Sequence, residues 1–76
     1  MYRGHYRISL DKEKAAKVIE MLKEKWHAKD IRTNDFPAYL EISFLTDDHK
    51  KVYQLQKIIK KYRGKVLKKW IEKVNQ

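Results

Sequence analysis

Residues 40–67 read LEISFLTDDHKKVYQLQKIIKKYRGKVL, and two periods follow one another in that stretch. Leu40, Ile42 and Phe44 alternate with Tyr39, Glu41 and Ser43, the period of a half-buried strand. Thr46, Asp47 and Asp48 then supply capping oxygens and negative charge for a first helical turn. Val52, Leu55, Ile58, Ile59 and Tyr62 recur on one helical face. Gly64 follows a last turn rich in Lys and Arg and reads as the helix C-cap. Strand, helix and a return to strand at residue 65 is the expected order.

The chain upstream repeats the pattern. Tyr6, Ile8 and Leu10 alternate with His5, Arg7 and Ser9, and Asp11 stands as an N-cap before Ala15, Val18, Ile19, Leu22 and Trp26, one face of a helix over about 12–27. Laid on each other, the halves match Ile8 with Ile42, Asp11 with Asp47, Leu22 with Ile58, Trp26 with Tyr62 and Ala28 with Gly64. Asn34, Asp35, Phe36 and Pro37 read as the turn between the halves. Two strand–helix–strand units give βαββαβ, an α+β fold resembling the ferredoxin-like split βαβ plait, with two helices on one face of a four-stranded antiparallel sheet. The alternative is βαββα, because Val66, Leu67, Trp70, Ile71 and Val74 are spaced as on a helix. A long basic C-terminal helix would then run through Gly64, at about 1 kcal/mol for a glycine in its interior.

At 76 residues the chain predicts a single domain, 1–76, with a modest core. It has no cysteine, so neither disulfides nor thiolate metal sites can supplement that core, and an intracellular, cytoplasmic setting is expected. No apolar run suits a membrane span or a signal peptide. Hydrophobic residues make up 42% and are periodic, which predicts a folded chain.

Charge is distributed unevenly. Residues 1–48 hold nine Lys/Arg against nine Asp/Glu, whereas residues 49–76 hold ten Lys/Arg against Glu72 alone. The net +9 therefore belongs to the second half, as expected of a surface that faces a polyanion. Lys57, Lys60, Lys61, Arg63, Lys65, Lys68 and Lys69 are the candidate phosphate contacts. In the plait, His5, Arg7, Ser9, Tyr39, Glu41 and Ser43 point away from the helices, with Lys68 and Trp70 beside them and Arg32 or Asp30 on the opposite edge. Arg7, Tyr39 and Trp70 would form a platform of the kind on which unpaired bases stack.

Catalytic signatures are absent. There is no glycine-rich phosphate loop and no nucleophile elbow, and His5, His27 and His49 share no ligand spacing, so no metal, cofactor or small-molecule substrate is expected. The place of Asp11, at the end of the first strand, resembles that of the acidic residue in the small CRISPR adaptation subunit. The resemblance implies a metal-dependent nuclease, yet it covers one residue, since Ile8, Ser9 and Leu10 lack that family's aromatic-acidic strand ending. The sequence thus predicts a non-enzymatic protein that binds DNA or RNA through its C-terminal half. The rival expectation is a regulatory or protein-interaction homodimer joined through the open sheet face.

Overall fold

The computed structural model describes residues 1–75. Its elements are β1 (Tyr2–Ser9), α1 (Lys12–Glu24), β2 (Lys29–Asp35), β3 (Leu40–Thr46), α2 (His49–Lys61) and β4 (Lys65–Lys73). They form one antiparallel sheet in the order β2-β3-β1-β4. Gly4, Tyr6 and Ile8 of β1 and Ile42, Phe44 and Thr46 of β3 are buried on one face. Val18 and Leu22 of α1 and Val52, Leu55 and Ile59 of α2 close over that face in a single core with Tyr6, Ile8, Ile42 and Phe44. Both helices therefore cover one side and leave the other bare.

β1 begins earlier than the apolar alternation suggests, because Gly4 is in phase with Tyr6 and Ile8 without showing it. A methyl group at Gly4 would lie 3.0 Å from Val52 Cγ1 and 3.2 Å from Phe44 Cζ, so the missing side chain lets α2 settle close to β1. Asp11 occupies the N-cap position of α1, but its carboxylate makes no capping hydrogen bond and only its backbone carbonyl accepts, from Ala15 N–H at 2.8 Å. At α2 the cap is Asp48, whose Oδ1 accepts from Lys50 N–H at 2.9 Å. The first turn of α2 itself contains no acid, so the expected negative charge is supplied from the cap position by Asp48.

The end of α2 corrects the reading of Gly64 as the cap and decides between strand and helix for the residues after it. Arg63, not Gly64, takes the left-handed conformation, at φ 64°. Arg63 N–H donates to the Lys60 carbonyl and Gly64 N–H to the Ile59 carbonyl, each at 2.9 Å, which is the Schellman pairing with arginine at the residue after the cap. Gly64 is required for another reason. A methyl group there would lie 2.8 Å from Leu10 Cδ1, 2.9 Å from Ile59 Cγ2 and 3.0 Å from the Ser9 carbonyl oxygen. The chain leaves the helix directly against β1 and must continue as its neighbour strand, so the long C-terminal helix does not form.

The helical spacing of residues 66–74 has a local cause. Ile8 pairs with Val66 and Arg7 with Lys68, leaving Leu67 as the extra residue of a β-bulge. The bulge shifts the alternation by one, so Val66 and Ile71 face the helices while Trp70 faces the open side. α1 ends on a wider turn than α2, with Ala28 N–H bonded to the Leu22 carbonyl at 2.9 Å and His27 left-handed at φ 53°. The buried Ala15, Val18 and Leu22 answer to Val52, Leu55 and Ile59, so Leu22 corresponds to Ile59 and not to Ile58.

Adding a methyl group at Gly64 is expected to destabilise the fold by about 1–3 kcal/mol through overpacking. Arg63→Gly is expected to stabilise it by up to about 1 kcal/mol by relieving the left-handed arginine. Thermal unfolding of the Gly64→Ala and Arg63→Gly proteins checks both, and a neutral Gly64→Ala would contradict the close approach.

Tyr6 offers a pH test. Its hydroxyl donates to the Val52 carbonyl in the core, and burial pushes its pKa from 10.0 to about 12. Only the neutral phenol suits the folded state. Stability is therefore complete below pH 10 and falls as the pH rises from 10.0 toward about 12, by on the order of 2 kcal/mol. Denaturant midpoints across that range should fall in the native chain and hold more nearly level in Tyr6→Phe, which starts about 1 kcal/mol lower for the lost hydrogen bond.

Candidate nucleic-acid interface

Strand alternation divides the basic half between two surfaces. On β4, Lys68 pairs with Arg7 and Trp70 with His5, placing both on the open face, whereas Lys69 pairs with the buried Tyr6 and lies on the helix side. Lys65 pairs with Ser9 at the open-face end of the strand. Lys57, Lys60 and Lys61 are exposed along α2, and Arg63 is exposed at its end. Arg7, Tyr39, Lys68 and Trp70 thus come together, and Lys57, Lys60, Lys61 and Lys69 form a separate group. The adjacent pair Lys68 and Lys69 does not share a surface, because consecutive strand residues point to opposite faces.

The open face pairs its arginines with acids of its own. Arg3 pairs with the Asp30 carboxylate and also donates to Ser43 Oγ at 3.2 Å, and Arg32 Nη2 lies 2.9 Å from the same Asp30. Arg32 and Arg3, in that order of effect, hold the Asp30 carboxyl below the usual carboxylate range by hydrogen bonding to its charged form. Arg7 Nε donates to Glu41 Oε2 at 2.7 Å, and that bond raises the Arg7 pKa further above its usual value. His5 Nε2 lies 2.6 Å from Glu72 Oε1, but out of line for a hydrogen bond, so this buried nitrogen has no hydrogen-bond partner.

The aromatic rings of this face are likewise engaged. His5 and Trp70 stack with centroids 4.6 Å apart and planes 4° from parallel. Lys68 Nζ stands 5.0 Å from the Trp70 centroid, and Arg7 Cζ stands 5.8 Å from it and 5.4 Å from that of Tyr39. Phe36 packs on Tyr39 at 4.9 Å. A row of Phe36, Tyr39, Arg7, Trp70 and His5 crosses the sheet beside a hollow of about 290 Å³ lined by Arg32, Asn34 and Glu41 as well. A base stacking on Trp70 would have to displace Lys68 or His5.

α2 is the opposite case. Lys50, Lys57 and Lys61 fall on the line of the helix opposite the buried Val52, Leu55 and Ile59, and Lys60 flanks them. The helix contains no acid, so lysines three and four apart repel each other. Lys60 and Lys61 at least suit the negative end of the helix, but Lys50 and Lys51 stand at its positive end, where cations are disfavoured. Among the described residues, the ion pairs of lysine and arginine are Arg3–Asp30, Arg7–Glu41 and Arg32–Asp30. None includes a lysine or arginine of residues 49–75.

Tyr53 was not among the residues that the sequence singled out. It lies on α2 outside the apolar face, 51% exposed, next to Lys69 of β4. The signal was present as a large aromatic at an out-of-phase helical position. Among the described residues no three His, Cys, Asp or Glu side chains converge on a metal-sized site, and Asp11 has no acidic or histidine companion of that kind. No protein-family model matches the chain, and no curated protein matches it in sequence.

Proposed function

We propose that this protein binds nucleic acid, and that it does so through the phosphate backbone. The observation that carries the reading is the separation of charge by pairing state: the open face neutralises its arginines internally, whereas the ten cations of the second half have no ion-pair partner among the described residues. Lysines that repel one another along α2 cost stability in isolation. A polyanion lying on them reverses that cost and releases its own condensed counterions. Lys50, Lys57, Lys60 and Lys61 on α2, with Arg63 and Lys69 near them, are the contacts in this reading. Contacts of this type position a strand without reading its sequence. The element order and the antiparallel sheet with a bare face agree with a ferredoxin-like plait, in which the helix layer carries the charge.

The open face favours a second role, self-association. Its three arginines are paired with acids, its rings are already stacked, and Asp30, Glu41 and Glu72 would repel phosphate. Two such faces packed together would present both basic helices outward. In this arrangement Tyr39 and Trp70 belong to the seam and not to the nucleic-acid contact.

Two measurements test these readings. Log affinity for an oligonucleotide should fall linearly with log salt, with a slope of roughly −3 to −5 for about four to six phosphate contacts. Replacing Lys57, Lys60 and Lys61 with Gln should flatten that slope by about two units. Gln at Lys12, Lys14 and Lys17 of α1 removes the same charge and should leave the slope nearly unchanged; equal losses from both sets would leave only net charge at work.

The self-association role predicts a concentration-dependent dimer in sedimentation, lost in Tyr39→Ala while the lysine-dependent binding persists per monomer. A monomer at all accessible concentrations would exclude it.

A further inference from the structure

We propose that the groove between α2 and the β4 edge takes a single-stranded nucleic acid, with Tyr53 as a base-stacking residue. The inference rests on the nucleic-acid reading above and names the strand state and the contact. Val52, Tyr53, Lys69, Trp70 and Ile71 line a hollow of about 100 Å³ at this edge. Its lining is largely apolar, with Lys69 as its one charged residue. Lys69 bonds to Gln56 Oε1 and stands 5.6 Å from the Tyr53 ring centroid, so a cation is held beside the ring of a residue that is itself 51% exposed. Lys50 and Lys57 stand about one helical turn on either side of Tyr53 on the same outer surface, and Lys60 stands further along.

Charge complementarity selects the occupant, because Lys69 lines the hollow, Lys50 and Lys57 stand on the adjoining outer surface of α2, and that helix has no acid. The ring selects the strand state. In a duplex the base faces are already stacked on each other, so an aromatic amid phosphate-binding lysines adds affinity only when bases are unpaired. The phenol also presents its stacking face without sequence preference, since every base has a π surface. Trp70 and Tyr39 on the open face are covered by His5, Lys68, Arg7 and Phe36; Tyr53 is the aromatic of the unpaired basic surface that stands in solvent.

Fluorescence anisotropy with three probes tests the proposal: a labelled oligothymidylate, a duplex of equal length, and heparin, which is anionic but has no bases. Tyr53→Ala should weaken oligothymidylate binding roughly ten-fold and leave the duplex and heparin affinities unchanged, while Tyr53→Phe, which keeps the stacking face, should bind close to the native chain. The proposal is overturned if Tyr53→Ala binds oligothymidylate as tightly as the native chain does, or if it loses as much affinity for heparin. A native chain that binds heparin and neither oligonucleotide would instead overturn the nucleic-acid reading itself.

Discussion

The chain's passage from α2 into β4 at Arg63 and Gly64 is the constraint on which the rest of the molecule depends. Arg63 turns left-handed and Gly64 lies where a methyl group would meet Leu10, Ile59 and the Ser9 carbonyl. The backbone therefore leaves the helix in contact with β1, and the cheapest way to satisfy its exposed N–H and C=O groups is to pair with that strand. Once residues 65–73 are an edge strand, their side chains must alternate between the two faces. That alternation, and not the order of residues along the chain, decides which lysines share a surface.

From that division follow two surfaces of different character. The core consumes one face of the sheet and the inner faces of both helices, as a domain of this size must do to bury enough apolar area. The remaining face cannot be apolar without inviting aggregation, and it is instead tied together by Arg3, Asp30 and Arg32, by Arg7 with Glu41, and by the stacked His5 and Trp70. These interactions are solvent-facing and individually weak. Their larger effect is to use up the charge and the ring faces that a ligand would need.

Both sheet edges are also protected. β2 is irregular between Lys29 and Arg32, with Asp30 at φ 48°, and β4 carries the Leu67 bulge and several lysines. Bulges and edge lysines discourage strand-to-strand pairing between copies. Leu67, 54% exposed, is apolar and out of the ladder, a consequence of the bulge and not of core packing.

Much of the fold was legible in the sequence because it depends on local periods. Tyr6, Ile8, Ile42 and Phe44 alternate as strands do, Val18, Leu22, Val52, Leu55 and Ile59 recur as one face of a helix does, and burial follows from these patterns directly. The outward placement of Arg7, Tyr39, Lys68 and Trp70 followed from the same alternation. Hidden from the sequence were features set by a neighbour across space. Gly4 belongs to β1 because Val52 and Phe44 press on it, Gly64 is needed for a close contact and not for its φ, and Leu67 is a bulge that gives a strand the spacing of a helix. The excess of positive charge could be counted in one dimension, but its division into arginines paired across β1, β2 and β3 and unpaired cations on α2 and β4 could not. Pairing depends on which side chains come within a few ångströms across the sheet, and that distance exists only once the chain has folded.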